Sequence, residues 1–241
     1  MTVLITGGSS GIGLELARQL IKRGNQVIVC GRCENKLAQA KAAMPTLVTF
    51  KCDLAQVDEC QRLASWTIEN YPALGVLINN AAIVHRGHFN DDRQALPKAI
   101  QEININLVAP IALTKILLPH LMKQQRASVI NITTGLVYAP RALYTIYNAT
   151  KAALHSFTQV LRLQLLNLPV NIIEVMMPVV DTPWHQGRSP AIAISPEKAV
   201  FEMINQIERH KTEIRVGKVR LLYLLSRLTP ELAIRMINRV S

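Results

Sequence analysis

The chain is poor in acid. Its 241 residues hold 16 Asp and Glu against 27 Lys and Arg, a formal net charge of +11. Charged residues of both signs reach only 18% and the mean hydropathy is +0.19, which excludes an intrinsically disordered chain. Aromatics are scarce at 5%, and the basic C-terminal stretch carries only Tyr223 among them. No nucleic-acid motif accompanies that stretch, so nucleic acid is not the expected partner. Long apolar runs are missing too: the best, Leu107 to Leu121, is broken by Lys115, Pro110 and Pro119, and no transmembrane segment is expected. The opening MTVLITGG has neither the charged nor the apolar region of a signal peptide. A cytoplasmic location is the expectation.

Cysteine is limited to Cys30-x2-Cys33 and Cys52-x7-Cys60. The second spacing does not suit paired zinc hooks, and Cys30 ends an apolar strand where a thiol packs as a small hydrophobe. His85 and His88 have metal-like spacing but read as loop residues at the rim of a site. No metal is expected.

What is present is alternation. Strand-like runs at Val3–Thr6, Gln26–Cys30, Leu47–Cys52, Val76–Asn79, Ser128–Thr133, Asn171–Met176 and Glu213–Val216 are apolar almost throughout, as in strands buried on both faces. Helical periodicity fills the gaps at Ile12–Arg23, Asp58–Asn70, Pro97–Lys123 and Tyr147–Leu166, and Ser195-Pro196-Glu197 marks a further helix start. The pattern predicts an α/β protein with a three-layer, doubly wound, mostly parallel sheet. No linker or repeat divides it, so residues 1–241 read as one domain. Its charge is uneven: residues 209–241 hold eight Lys and Arg against two Glu, a net +6 of the total +11.

The first strand runs into Thr6-Gly7-Gly8-Ser9-Ser10-Gly11-Ile12-Gly13, and a helix follows at once. Such a turn brings backbone N–H groups and a helix N-terminus to a diphosphate. An NAD ribose calls for a carboxylate at the end of the second strand, but that strand ends in Gly31-Arg32, a guanidinium suited to a 2′-phosphate. NADP(H) is therefore expected over NAD(H). Asp53, after the third strand, reads as an acceptor for adenine or as a cap, the two being compatible.

Tyr147 and Lys151 lie four residues apart on one helix face. An ammonium near a phenol favours the phenolate and is expected to lower the tyrosine pKa toward neutrality, as proton exchange with a carbonyl or alcohol needs. Thr134 follows the fifth strand at the sheet edge where α/β folds bind ligands, and Asn106 is an amide inside an apolar helix.

Together, Thr6-Gly7-x3-Gly11-x-Gly13, Asp53, Asn79-Asn80-Ala81-Ala82, Asn106, Thr134 and Tyr147-x3-Lys151 resemble the short-chain dehydrogenase/reductase family across the whole chain. The resemblance implies a seven-stranded Rossmann fold and an oxidoreductase that moves a hydride between a nicotinamide and a carbonyl or alcohol. Tyr147 would be the general acid/base and Lys151 would hold the nicotinamide ribose. Thr134 would orient the substrate carbonyl, and Asn106 would hold a relay water. The cofactor set it implies is Gly7, Ser9, Ser10, Gly11, Ile12 and Gly13, then Arg32, Asp53 and Leu54, then Asn80, Ala81, Val180 and Thr182, with Tyr147 and Lys151.

Three positions depart from the family pattern: Thr134 for serine, Ala82 for glycine, and Met177-Pro178 for Pro-Gly. The first crowds the substrate side by a methyl, and the last stiffens the following loop. Ile28-Val29-Cys30-Gly31-Arg32, Lys151-Ala152-Ala153-Leu154-His155-Ser156-Phe157 and Val180-Asp181-Thr182 are similar to the bacterial oxidoreductases of this family encoded with lipoteichoic-acid D-alanylation genes. Residues 183–212, with Trp184 and His185, would form a substrate lid. The basic segment 213–241 would pack on the subunit or a neighbour, or touch a membrane surface peripherally. A homodimer or homotetramer acting on a small molecule is implied. The rival expectation is a non-catalytic nucleotide sensor or scaffold on the same fold.

Overall fold

A computed structural model describes residues 1–185, 187 and 189–239. Of the expected lid, Gln186 and Arg188 lie outside the described residues, as do Val240 and Ser241 of the basic segment. Seven strands form one all-parallel sheet: β1 (Thr2–Thr6), β2 (Gln26–Gly31), β3 (Val48–Lys51), β4 (Leu74–Asn79), β5 (Ala127–Thr134), β6 (Val170–Met177) and β7 (Glu213–Arg215). Their order is β3-β2-β1-β4-β5-β6-β7. The order reverses between β1 and β4, which opens a crevice at the carboxyl edge of the sheet.

Helices cover both faces. On one side α1 (Gly11–Lys22), α2 (Glu34–Ala43) and α7 (Pro196–Glu208) bury Leu16, Leu37 and Met203 against Ile5, Val29 and Val175. On the other, α3 (Val57–Asn70), α5 (Ala109–Leu121) and α6 (Thr145–Gln164) bury Leu63, Leu113 and Leu117 against Leu4, Leu77 and Val129. Both faces of β1 and β4 are thus apolar, so the strands carry no polar alternation.

The periodic stretch Pro97–Lys123 is not one uniform helix. α4 (Ala95–Ile103) passes through a π-helical turn at Asn104–Val108 into α5. Pro110 supplies a local cause: it has no N–H to bond the carbonyl four residues back, at Asn106, and its ring crowds that carbonyl. The continuous stretch Ala95–Leu121 is long and apolar enough to cross a membrane by composition. Here its inner face, Leu113, Leu117 and Leu121, is fully buried on the sheet.

Only half of the expected lid is free to cover anything. α7 belongs to the core, with Ala199, Val200 and Met203 fully buried, and Gln19 Nε2 donating to the Glu197 carbonyl at 3.1 Å. Ser195 caps it by accepting from Lys198 N, as its sequence predicts. Residues 196–208 of the expected lid are therefore part of the core. The basic segment forms α8 (Val219–Leu228) and α9 (Pro230–Arg239), which bury Leu222 and Ala233 against Ala139 of the same chain. Asn238 completes that docking, accepting from Ala142 N at 2.7 Å and donating to the Pro140 carbonyl at 3.1 Å.

Leu113 is enclosed on every side by the second core layer. Leu113→Ala should lower unfolding free energy by about 2–5 kcal/mol, read as a reduced urea midpoint with an unchanged slope. A loss below about 1 kcal/mol would show that α5 does not anchor that layer.

Candidate active site

The glycine turn is held from two strands. Asn80, just past β4, donates its side-chain amide to the Thr6 carbonyl at 2.9 Å and the Gly7 carbonyl at 3.3 Å. In return, Thr6 Oγ1 accepts from the backbone N–H groups of Asn80 and Ala81, each at 3.0 Å. Gly8 N bonds the Cys30 carbonyl at the end of β2 at 3.2 Å. Gly7 sits at φ +66, and a Cβ there would lie 2.9 Å from the Ala81 Cα; a Cβ on Gly13 would collide with the Gly7 carbonyl and the Asn80 amide. The turn tolerates glycine alone at both places. It delivers the N-terminus of α1 to the crevice with no acidic residue in its first turn and no side-chain cap from Ser10. Backbone N–H groups of the first turn, at Gly11, Ile12 and Gly13, thus face outward with the positive end of the helix dipole. These residues fit a dinucleotide diphosphate.

Beside the turn, the end of β2 is open and cationic. Arg32 is exposed and makes no ion pair among the described residues. A Cβ on Gly31 would meet the Ser9 hydroxyl at 3.0 Å, which places that hydroxyl next to Arg32. Asp53 is half-buried and accepts from Ala55 N at 3.1 Å in a local turn; the cap expected as its alternative is not formed, since α3 starts after Gln56 with no side-chain cap. Leu54 is buried behind it.

A buried amide layer supports the middle of the edge. Asn79 Nδ2 donates to Asn131 Oδ1 at 2.8 Å, and Asn131 Nδ2 donates to Thr158 Oγ1 at 2.8 Å, tying β4, β5 and α6. Asn106, fully buried in the π turn, accepts from Ile83 N at 2.9 Å and donates to the Ile83 carbonyl at 2.8 Å and to Thr150 Oγ1 at 3.2 Å. Its side chain is committed to holding the loop after β4. That leaves the side-chain amide committed elsewhere than to the relay water expected of it.

Thr134 ends β5, its hydroxyl accepting from Leu136 N at 3.3 Å, and Tyr147 lies in the first turn of α6. Burial pushes the phenol above its ordinary pKa; the nearby Thr134 hydroxyl opposes this, while the Glu102 and Tyr144 charges add to it. The expected lowering by lysine is not what the geometry produces. Lys151 Nζ stands 6.0 Å from the Tyr147 ring centroid and donates instead to the Ile132 carbonyl at 2.8 Å. Burial also acts on Lys151, lowering its pKa to about 8, with Glu174 opposing the fall.

Glu174 was not legible as a site residue, although a carboxylate inside the apolar run Asn171–Met176 is itself a signal. It is fully buried on β6, accepts from Thr133 Oγ1 at 2.6 Å and lies 2.8 Å from His155 Nδ1, one helical turn beyond Lys151. The β6 carboxylate thus underlies the β5 edge that carries Thr134.

The open side is closed by the chain after β6. Val180 is buried and bridges in parallel to Ile194, while Thr182 packs its methyl near Gly11 at the start of α1. Asp181 accepts a short hydrogen bond from the Ser189 hydroxyl. Trp184 meets Tyr144 edge-on at 6.0 Å, and Tyr144 meets Tyr147 at 6.3 Å, so an aromatic chain links the cover to the phenol. All four expected catalytic residues and the whole expected cofactor set gather along one sheet edge.

Residues 1–192 match the short chain dehydrogenase family. The chain is 47% identical over 223 residues to the uncharacterized oxidoreductase DltE of Bacillus subtilis strain 168, covering 90% of this chain and 88% of that one. A short chain dehydrogenase from Burkholderia cenocepacia J2315 in complex with NADP superposes with a TM-score of 0.85 at 22% identity, over 98% of this chain and 96% of that one. Another from Burkholderia phymatum in complex with NAD gives 0.83 at 18% identity, over 100% and 96%. At those identities the two structures speak for the fold. The fold, the edge geometry and the family match agree: this chain belongs to the short-chain dehydrogenase/reductase family and is an oxidoreductase of the kind that exchanges hydride between a nicotinamide dinucleotide and a small molecule.

Proposed function

We propose that the protein is an NADP(H)-dependent carbonyl reductase or alcohol dehydrogenase with Tyr147 as its proton donor and acceptor. The observation that carries this reading is the approach of the Thr134 hydroxyl to the Tyr147 phenol at the sheet edge that also holds the open N-terminus of α1. Two neighbouring hydroxyl groups would present one position where a carbonyl oxygen accepts from both. The turn from Gly7 to Gly13, with Asn80, Ala81, Val180 and Thr182, would hold the dinucleotide, and the nicotinamide supplies or takes the hydride when bound. Thr134 orients the substrate oxygen. Tyr147 gives it a proton in reduction or takes one in oxidation.

A phenol raised by burial holds its proton at neutral pH, so it is poised to donate. The phenolate left behind is favoured by the Lys151 ammonium, which is charged below about pH 8. Arg32 beside the Ser9 hydroxyl, with no carboxylate at the end of β2, supports NADP(H) over NAD(H).

Tyr147→Phe should cut turnover by about 10²–10⁴-fold while NADPH still binds, followed by fluorescence titration; retained turnover would overturn the role of the phenol. Arg32→Glu should weaken NADPH relative to NADH by about tenfold or more, and an unaltered ratio would show that Arg32 does not meet the phosphate. Glu174 favours the charged form of Lys151, so Glu174→Gln removes that support. The fall of kcat/KM at alkaline pH should then begin lower than the limb near pH 8 set by Lys151. A profile superimposable on that of the unmodified protein would exclude electrostatic coupling between the two.

A further inference from the structure

A second carboxylate is buried near the start of the helix that carries the phenol, and part of it is unused. Glu102 lies on α4, one helical turn before Asn106, and is only 1% exposed. Its Oε1 carries both bonds that tie the loop after β4: His85 N at 2.7 Å and His85 Nδ1 at 2.9 Å. Its Oε2 is buried with no hydrogen-bond partner among the described residues. A carboxylate oxygen withdrawn from water without a donor is unfavourable, and native sites keep such atoms for a reason.

Glu102 lines a small cavity of about 30 Å³, together with His85, Arg86, Lys98, Thr145 and Ile146. Thr145 and Ile146 run directly into Tyr147, and the Glu102 charge is felt at the phenol. The space suits one water-sized group. We propose that Glu102 Oε2 is a substrate subsite that accepts a hydrogen bond from a hydroxyl group, apart from the carbon that exchanges hydride. The substrate class is then a hydroxy ketone or hydroxy aldehyde, or the matching diol in the oxidative direction.

Charge around the cavity selects a neutral donor. Arg86 and Lys98 line it opposite Asp92 and Glu102, so the formal charges cancel and neither an ammonium nor a second carboxylate is favoured over a neutral hydroxyl. Lys98 does not fill the role from within, because its Nζ is bound to Asp92 Oδ2 at 2.7 Å. A hydroxyl meets neither repulsion and gives the buried Oε2 the donor it lacks. Its plain analogue would leave that oxygen unpaired, which is the situation in which polar sites discriminate best.

The subsite rests on the oxidoreductase reading above, and a paired experiment separates the two. Acetone, butanone and pentanone are compared with hydroxyacetone, 4-hydroxybutanone and 5-hydroxypentanone as substrates with NADPH. In parallel, butane-1,3-diol and butan-2-ol are titrated calorimetrically into the protein saturated with NADP⁺. At least one hydroxylated ketone should exceed its parent by about tenfold or more in kcat/KM, and the diol should bind more tightly than the plain alcohol.

Glu102→Gln keeps an acceptor for the His85 tie but replaces Oε2 by NH₂ and removes the charge. Both preferences should shrink severalfold in that variant. Preferences near one in the unmodified protein overturn the subsite and leave an oxygen that meets only water. Equal losses for hydroxylated and plain ligands in Glu102→Gln also overturn it, as they would mark a purely structural tie. A diol preference that persists without any ketone reduction retains the subsite and overturns the catalytic reading instead.

Discussion

A lysine ammonium buried against the middle of the sheet constrains everything at its carboxyl edge. Lys151 is 2% exposed and its Nζ bonds the Ile132 carbonyl at 2.8 Å. An ammonium withdrawn from water to that extent needs an acceptor and a counter-charge. The first comes from Ile132 of β5, which lies beyond Asn131, the last residue of β5 paired with β4. The second comes from Glu174 on β6, itself held by Thr133 and His155. His155 stands on the same helix as Lys151 and one turn on, so α6 contributes both the cation and the clamp on its counter-ion. The placement of α6 then fixes Tyr147, and β5 fixes Thr134. The approach of the two hydroxyls to each other follows from the burial of the lysine.

The same economy explains the amide layer. Asn79, Asn106 and Asn131 are all buried, and each spends its side chain on a backbone group or another side chain rather than on water. Asn106 acts like a short strand partner for Ile83, bonding both its N–H and its carbonyl. That requires the amide to reach beyond the ordinary helix surface, and the π turn at Asn104–Val108 provides the displacement. Pro110 makes the turn cheap, since the bond it forfeits is one the π geometry has already given up. The loop after β4 is thus positioned by the helix that follows it, and Glu102, one turn earlier, holds the same loop at His85.

Strands were the most readable part of the sequence, because burial on both faces writes them as apolar runs with no competing period. The glycine turn was equally plain: Gly7 and Gly13 stand where no Cβ fits, so the residue type itself records the geometry. Less was visible where the deciding contacts are between distant segments. α2 has almost no amphipathic pattern and buries only Leu37 and Ala40, so periodicity gave it no signal. The lysine–tyrosine spacing placed both on one face, yet spacing carries no information about the Ile132 carbonyl, to which the ammonium turns. The long apolar stretch ahead of Lys123 concealed a π turn, since a register change of one residue leaves the composition unchanged. Glu174 interrupts an apolar run, but its partner His155, like His85 for Glu102, comes from another element.

The excess positive charge of the C-terminal segment has a structural use distinct from catalysis. Arg215 stacks over the Tyr223 ring at 3.9 Å, donates to the Tyr138 hydroxyl at 3.0 Å and pairs with Glu213 at 2.9 Å. Arg220 bonds Gln206 on α7 at 2.9 Å. These arginines fasten α8 to the sheet edge and to α7, while Asn238 on α9 fastens the loop at Pro140–Ala142. That loop lies in the chain between Thr134 and Tyr147. The basic segment therefore braces, from outside, the short connection whose length sets the distance between the two hydroxyls. Leu221, Leu224, Leu228 and Leu232 remain exposed on the same pair of helices, so a surface that covered them would bear on the same connection. Cations that looked like a tail property in the sequence thus fasten α8 to β7 and α7.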